Sequence, residues 1–295
     1  MRLSILLLAL LGVSMCAEAQ SFFAIRRERS LLATFGSGTA AYKGELVNPN
    51  QLGKIRYNVV LGGEYYFTSR ISARAEFVYF NISGDDATAN DDRVERNLSF
   101  TANNFEVSLT GAVNLFPKGI RFYQRPGVNF YGFAGVGLLY MNPRAEYQGK
   151  KYPLQPLETE GVSYSRFQPV IPFGLGTRLK LGPFFNLLIE GGYRKTFTDY
   201  LDDISVKRYP DPTTLKSDLS RALSDRRRER DPNYPVGPGV GVRGNPEFDD
   251  GYFLLNVKLQ YYLPYQARSN SNNKLLRKKR SSFYRYNKRG GLRRN

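Results

Sequence analysis

From residue 31 onward, hydrophobic and polar positions alternate in short segments separated by polar connections rich in Gly and Pro. Between residues 55 and 67, Tyr57, Val59, Leu61, Gly63, Tyr65 and Phe67 fall on one face. Arg56, Asn58, Val60, Gly62, Glu64 and Tyr66 fall on the other. Strand side chains point to opposite faces in turn, so this period of two predicts a strand with one apolar face. The same pattern recurs in 71–82 (Ile71, Ala73, Ala75, Phe77, Tyr79), 100–116 (Phe105, Val107, Leu109, Val113, Leu115), 184–197 (Leu187, Ile189, Tyr193) and 252–263 (Phe253, Leu255, Val257, Leu259, Tyr261). Segments 31–45, 129–141 and 166–181 complete a set of eight. Glycines blur the faces of 129–141, and Pro169 and Pro172 in 166–181 predict a late start or a bulge.

The connections alternate in length. Thr68-Ser69-Arg70 and Gly182-Pro183 are tight turns, whereas 198–250 is very long. Only 117–128, of intermediate length, fits this rhythm poorly. Alternating strands with short turns at one end and long loops at the other predict an all-β fold, an eight-stranded antiparallel transmembrane β-barrel of the outer-membrane type. An even strand count puts both chain ends on the periplasmic side with the short turns. Inside the long loop, Leu215, Leu219, Ala222 and Leu223 have helical spacing, predicting a helix over 214–228 capped by Thr213 or Thr214. The Gly/Pro-rich stretch 232–246 is turn-like. Its glycines lack the following Lys-Ser/Thr of a phosphate loop.

The N-terminus predicts export. Arg2, an apolar run over 3–13 and the small-x-small site Ala17-Glu18-Ala19 predict a signal peptide (1–19), cleavage near Ala19–Gln20, a barrel over 20–265 and a tail over 266–295. Cys16 raises the alternative of lipidation, against which Met15 stands where a small residue is preferred. The expected location is the cell outer membrane. Beyond that Cys, the chain holds no thiol, and it has no His at all. The usual general base near neutral pH and the commonest metal ligand are therefore missing, so no enzyme, no cofactor and no metal site is expected. The chain is rich in Tyr (21), Phe (20) and Gly (28), with no Trp and a mean hydropathy of −0.43. Such a value suits a barrel, in which only alternate residues face lipid.

Three constellations carry candidate chemistry. Glu64, Arg74, Glu76, Glu106, Arg178, Glu190, Arg194 and Lys258, with Arg56 and Lys180, lie opposite the apolar stripes and are expected in the lumen. An eight-stranded lumen is about wide enough to be filled by side chains, which predicts a plug of mutually paired charges. The functional alternative is a narrow pore or a proton path. Next, the tail carries Arg268, Lys274, Arg277, Lys278, Lys279, Arg280, Arg285, Lys288, Arg289, Arg293 and Arg294 and no acid. It supplies eleven of the chain's +17, leaving +6 elsewhere. Behind an export signal, this predicts contact with anionic lipid headgroups or an acidic protein face rather than nucleic acid; a solvated tail is the other reading. Finally, Asp85, Asp86, Asp91 and Asp92, then Asp199, Asp202 and Asp203, are clustered carboxylates of the kind calcium favours. They match no calcium-loop spacing and are expected to be solvated.

Several stretches carry a family likeness: Gly36-Ser-Gly-Thr-Ala-Ala-Tyr-Lys-Gly-Glu-Leu46, Tyr57-Asn-Val-Val-Leu-Gly-Gly-Glu-Tyr-Tyr-Phe67, Ala73-Arg-Ala-Glu-Phe77, Asn129-Phe-Tyr-Gly-Phe-Ala-Gly-Val-Gly137, Arg194-Lys-Thr-Phe-Thr-Asp-Tyr-Leu-Asp-Asp203, Leu223-Ser-Asp-Arg226 and Arg243-Gly-Asn245. Together they resemble the PorG-type outer-membrane barrel of the type IX protein secretion machinery, over nearly the whole chain from 20 to 265. The resemblance implies an eight-stranded barrel that associates with a periplasmic ring built from a lipoprotein and a soluble partner, and that is not itself the translocation pore. The basic tail matches no motif of that family. The expected function is thus a non-enzymatic barrel that anchors or contacts the ring, with outer-membrane lipid as its surroundings. A small passive channel or ligand-binding barrel is the alternative.

Overall fold

The computed structural model describes residues 29–47, 54–88, 94–119, 121–235, 237, 240–247 and 249–264. The expected signal peptide, Cys16, the basic tail, Asp91 and Asp92 lie outside the described residues.

Ten strands form one sheet: β1 (Leu31–Lys43), β2 (Arg56–Tyr66), β3 (Ile71–Asp85), β4 (Ser99–Asn114), β5 (Val128–Tyr140), β6 (Pro143–Tyr147), β7 (Lys150–Pro153), β8 (Phe167–Lys180), β9 (Phe185–Thr196) and β10 (Gly251–Tyr262). Eight of them close into a ring. Neighbours run β1-β2-β3-β4-β5-β8-β9-β10, and β1 pairs with β10 from Leu32↔Tyr262 to Lys43↔Gly251. The molecule is a closed eight-stranded antiparallel β-barrel, with every ring strand hydrogen-bonded on both edges. Closure satisfies the backbone without water, the condition for crossing a bilayer with strands.

The exterior is the apolar side. On β4, Phe105, Val107, Leu109 and Val113 point outward and are exposed, while Asn104, Glu106, Ser108, Thr110 and Asn114 point inward and are buried. From Phe105 to Leu115 the apolar stripe covers, at ~3.3 Å per residue and ~40° of tilt, a height of about 25 Å, matching a membrane-spanning band. Tyr79, Phe105, Tyr140 and Phe167 stand opposite one another across β3, β4, β5 and β8, with ring centroids 5.1, 6.3 and 5.2 Å apart. This row is an aromatic girdle in which Tyr and Phe serve in the absence of Trp. The described connections agree with the expected rhythm. Segments 67–70, 115–127 and 181–184 lie at one end, and 44–55, 86–98, 141–166 and 197–250 at the other; the end with short turns is called periplasmic below.

Three local expectations are corrected. Pro172 makes no bulge: Ala134↔Phe173 and Gly137↔Val170 keep one register, and the ladder merely lacks pairs where Pro172 has no N–H to donate. The loop between β5 and β8 contains an unexpected hairpin, β6–β7, turned by Gln148 (φ 50°) and Gly149 (φ 75°) and paired with the outer end of β4. Both positions need positive φ, the mark of a two-residue type I′ turn. The long-loop helix starts later than expected. Ser217, not Thr213 or Thr214, caps Asp218–Ser224 by accepting from the Ser220 N–H at 3.1 Å. Asp225 then interrupts it by binding the backbone N–H (3.2 Å) and guanidinium of Arg227, and a separate turn, Arg227–Arg230, follows.

The poorly fitting connection between β4 and β5 also has a reason. It folds under the barrel, burying Phe122 against Phe184 and Tyr262 with centroids 5.7 and 5.2 Å away. Arg125 pins it by donating to the Gly182, Pro183 and Phe185 carbonyls at 2.9, 2.9 and 2.7 Å and to Asn186 Oδ1 at 2.6 Å. The segment is longer than a turn because it closes the periplasmic mouth.

Inside, β1 is lined by small residues. A Cβ at Gly36 would sit 2.7 Å from Lys258 Cγ and 2.7 Å from the Val257 carbonyl. Gly36→Leu is therefore expected to cost ~1–3 kcal/mol or more by overpacking. A lower urea midpoint for the loss of the compact electrophoretic species would show it; an unchanged midpoint would mean that the lumen has slack at Lys258.

Candidate functional site

The structure brings the eight expected lumen residues together inside the barrel, none more than 6% exposed. They balance, four acids against four bases, and they pair. Glu64 accepts from Arg178 Nη2 at 2.9 Å through both oxygens, and also from Ser72 Oγ (2.6 Å) and Gln260 Nε2 (2.5 Å). Arg74 Nη1 donates to Glu190 at 2.5 Å, and its guanidinium lies 4.5 Å from the centroid of Phe133. Lys258 bridges Glu76 and Glu190 at 2.7 and 2.8 Å. Tyr131 adds a 2.8 Å hydrogen bond to Glu190. Glu106 accepts from Tyr252 at 2.8 Å and stands 3.5 Å from Arg194, a looser pair. The remaining two do not join them. Arg56 is exposed at the outer mouth, bonded to Ser83 Oγ at 3.1 Å, and Lys180 is exposed at the periplasmic mouth, bonded to the Tyr123 carbonyl at 2.9 Å. Both stand at strand ends, where the inward face opens to solvent.

The lumen is filled rather than open. The cavity at its periplasmic end, among Tyr66, Arg178, Arg125 and Tyr262, measures ≈10 Å³, as does that under the outer cap among Leu98, Asp202, Leu223 and Arg243. Each is about the space of one water.

The outer cap is the part least foreseen. Asp199, Asp202 and Asp203, expected in solvent, are buried. The long loop folds back over the barrel mouth, where Leu201, Ile204 and Leu223 pack with Leu46, Leu98 and Phe100. Tyr42, on β1, donates to Asp202 or Asp250, each 2.7 Å from its hydroxyl oxygen. Asp203 accepts from Tyr164 and Thr159 at 2.5 Å each. Arg243 is buried, hydrogen-bonded to Glu160, to Thr159 Oγ1 (3.3 Å) and to the Ser224 carbonyl (3.1 Å). Arg96 holds buried Asp86 through two bonds of 2.8 and 2.7 Å and donates to the Arg243 carbonyl. Asp85 remains near the surface, 3.0 Å from Lys54. Four of the stretches behind the family likeness converge in part: Glu45-Leu46, the 199–203 run, Leu223-Ser224 and Arg243-Gly244-Asn245 meet in one cap, while 57–67, 73–77 and 129–137 belong to the barrel wall.

The cap contains more carboxyls than cations. Among the described residues, Glu45, Asp86, Glu160, Asp199, Asp202, Asp203 and Asp250 gather there with Arg96 and Arg243. Burial, then the neighbouring Asp250 and Glu45, pushes Asp199 up to about 9; neither of its oxygens has a hydrogen-bond partner. Burial raises Asp250 to about 8 and Asp203 to about 6, the latter held down by Thr159, Tyr164 and Arg243. Asp202 moves in the same direction, mainly by burial and by Asp250. Burial therefore holds these four carboxyls toward their protonated forms. Among the described residues, no group of three or more acidic side chains is arranged to hold a metal ion.

No protein-family model matches the chain, and no curated protein matches it in sequence. Solved structures that it resembles include neisserial surface protein A (7% identity, TM-score 0.42, covering 79% of this chain and 97% of that one). Another is Ail of Yersinia pestis, crystallised with the heparin analogue sucrose octasulfate (13%, 0.36, 80% and 100%). A third is OprG of Pseudomonas aeruginosa (10%, 0.37, 81% and 100%). The barrel itself is defined by its closed strand pairing, described above.

Two predictions follow from these charges. Arg178→Ala leaves Glu64 buried without its cation and should cost ~3–5 kcal/mol in urea unfolding. Adding Glu64→Gln should recover part of that loss; strictly additive effects would mean that the two do not act as a pair. For the cap, Asp199, Asp202, Asp203 and Asp250 titrate above the unfolded value of ~3.9, so their contribution is complete below about pH 4. It then declines as pH rises, and is lost above about 8 for Asp250 and 9 for Asp199. Proteolytic nicking within 198–250 should therefore rise between about pH 4 and 9 while the barrel stays folded. Asp199→Asn should flatten that rise, and nicking that is independent of pH would refute this proton dependence.

Proposed function

We propose that the chain is a non-enzymatic outer-membrane barrel of the type IX protein secretion machinery, anchoring or contacting its periplasmic ring. The observation that carries this reading is the outer cap. Parts of four of the stretches that resemble the PorG-type barrel, distant in sequence, meet as one interlocked buried unit around Arg243 and the 199–203 run. A filled lumen supports an anchor rather than a conduit, since a passive channel needs a continuous water path between two mouths that here hold about one water each. The outer cap faces away from the periplasm, so contact with a ring falls to the opposite end. That end offers the turns 67–70 and 181–184, the segment 115–127 and the tail with its eleven Lys/Arg. The tail is proposed as the arm that meets an acidic ring surface or anionic headgroups, by an attraction that speeds encounter and weakens with salt.

The test is cross-linking and affinity isolation from native envelopes, comparing the full chain with one ending at Tyr265. The expected result is recovery of a ring lipoprotein and its soluble partner with the full chain, and less of both after truncation. Recovery of the barrel alone in both cases would refute the ring-anchor reading.

A further inference from the structure

The lipid-facing wall is not smooth. Near the periplasmic end, a groove of ≈540 Å³ crosses β4, β5, β8 and β9, lined by Val113, Leu115, Phe130, Leu175, Thr177 and Ile189. Its floor is Gly132. That residue stands opposite Val113 on one side and Leu175 on the other, so a position without a side chain lies between two exposed large ones. The next row toward the periplasm, Phe130, Thr177 and Ile189, continues the channel along the strands. At its periplasmic edge stands Arg70.

Arg70 is exposed, and its guanidinium makes no ion pair or hydrogen bond with the described residues. Its backbone is nevertheless fixed. Thr68 Oγ1 accepts from the Arg70 and Ile71 N–H groups at 3.2 and 2.9 Å, and the Arg70 carbonyl accepts from the Asn114 backbone and side chain at 2.8 and 3.0 Å. A cation on a fixed backbone thus stands where the apolar band ends, at the depth of the headgroups, with an apolar groove running from it toward the bilayer centre. A guanidinium is suited to phosphate oxygens by its fork of donors.

We propose that this groove is a binding site for a phospholipid of the periplasmic leaflet, with one acyl chain lying over Gly132 and the phosphodiester on Arg70. The volume lies within the range of small-molecule pockets, ~300–1,000 Å³, and the occupant follows from the pairing of an apolar trough with a single unsatisfied positive charge. The proposal rests on the barrel crossing a membrane and is independent of any role in secretion.

The groove can be filled without harming the barrel. A Cβ on Gly132 meets nothing closer than Leu175 Cδ2 at 3.5 Å, an ordinary contact. Gly132→Leu should therefore fold normally while occupying the acyl trough. The experiment places the full chain in nanodiscs containing a trace of phosphatidylglycerol with a photoreactive group in one acyl chain, then maps the labelled peptides. The expected result is labelling concentrated on 113–115, 130–132 and 175–177. Gly132→Leu should abolish it, and Arg70→Gln should reduce it about tenfold, the scale of one hydrogen bond to a charged group. Excess glycerol phosphate should not compete, because it lacks the chain; competition would assign the site to a free phosphate and overturn the lipid. Labelling spread evenly around the barrel, or unchanged in both variants, would also overturn it, the first identifying ordinary surrounding lipid. Heat-shifted mobility of each variant verifies that the barrel is closed.

Discussion

Closing an eight-stranded sheet is the constraint from which the rest of this structure follows. The β1–β10 pairing leaves no strand edge in the ring, so the backbone needs no water and the outer face can be wholly apolar. The same closure turns every other side chain into a space only about as wide as those side chains. Polar groups placed there cannot be solvated, and charges can persist only in pairs. The four acids and four bases of the lumen are a direct consequence, with Lys258 shared between Glu76 and Glu190 and Glu64 clamped by Arg178. The small β1 face, with Gly36 beside Lys258, makes room for the long side chains opposite.

The two mouths are closed by different chemistry. At the periplasmic end, aromatic rings and a guanidinium do the work: Phe122, Phe184, Tyr66 and Tyr262 cluster, and Arg125 collects backbone carbonyls. That closure contains little that titrates near neutrality. At the outer end, a surplus of carboxyls is held by burial and by Arg96 and Arg243, so its integrity depends on protons. This division is set by composition, since the long loop that covers the outer mouth carries Asp199, Asp202, Asp203 and Asp250 within one chain segment.

The barrel was legible in the sequence because its period is two and its lipid face is apolar. The eight strands and the eight paired lumen charges could be read from alternation alone, since inward position and polarity coincide there. Arg56 and Lys180 show where that rule stops: parity assigns a face, but depth along the strand decides whether the face is sealed. The cap was illegible for a related reason. Asp199, Asp202 and Asp203 have the composition of solvated loop residues, and only the return of the loop over Leu46, Leu98 and Phe100 buries them. A local signal did exist in the hydrophobic spacing of Leu215, Leu219 and Leu223, which required a surface to cover. The β6–β7 hairpin was hidden by Pro143 and Pro153, which in the structure stand at strand ends, where proline is tolerated.

Function in such a molecule belongs to what the barrel presents rather than to its interior. The lumen charges lie in ion pairs with one another, Glu106 and Arg194 the most loosely, and the ≈10 Å³ cavities at its two ends each hold about one water. Among the described residues, the surfaces that remain are the capped outer face, the lipid-facing wall and the turns at the opposite end. A rigid, closed cylinder suits all three because it deforms little. Force on either end is spread over a ring in which every strand is hydrogen-bonded on both edges.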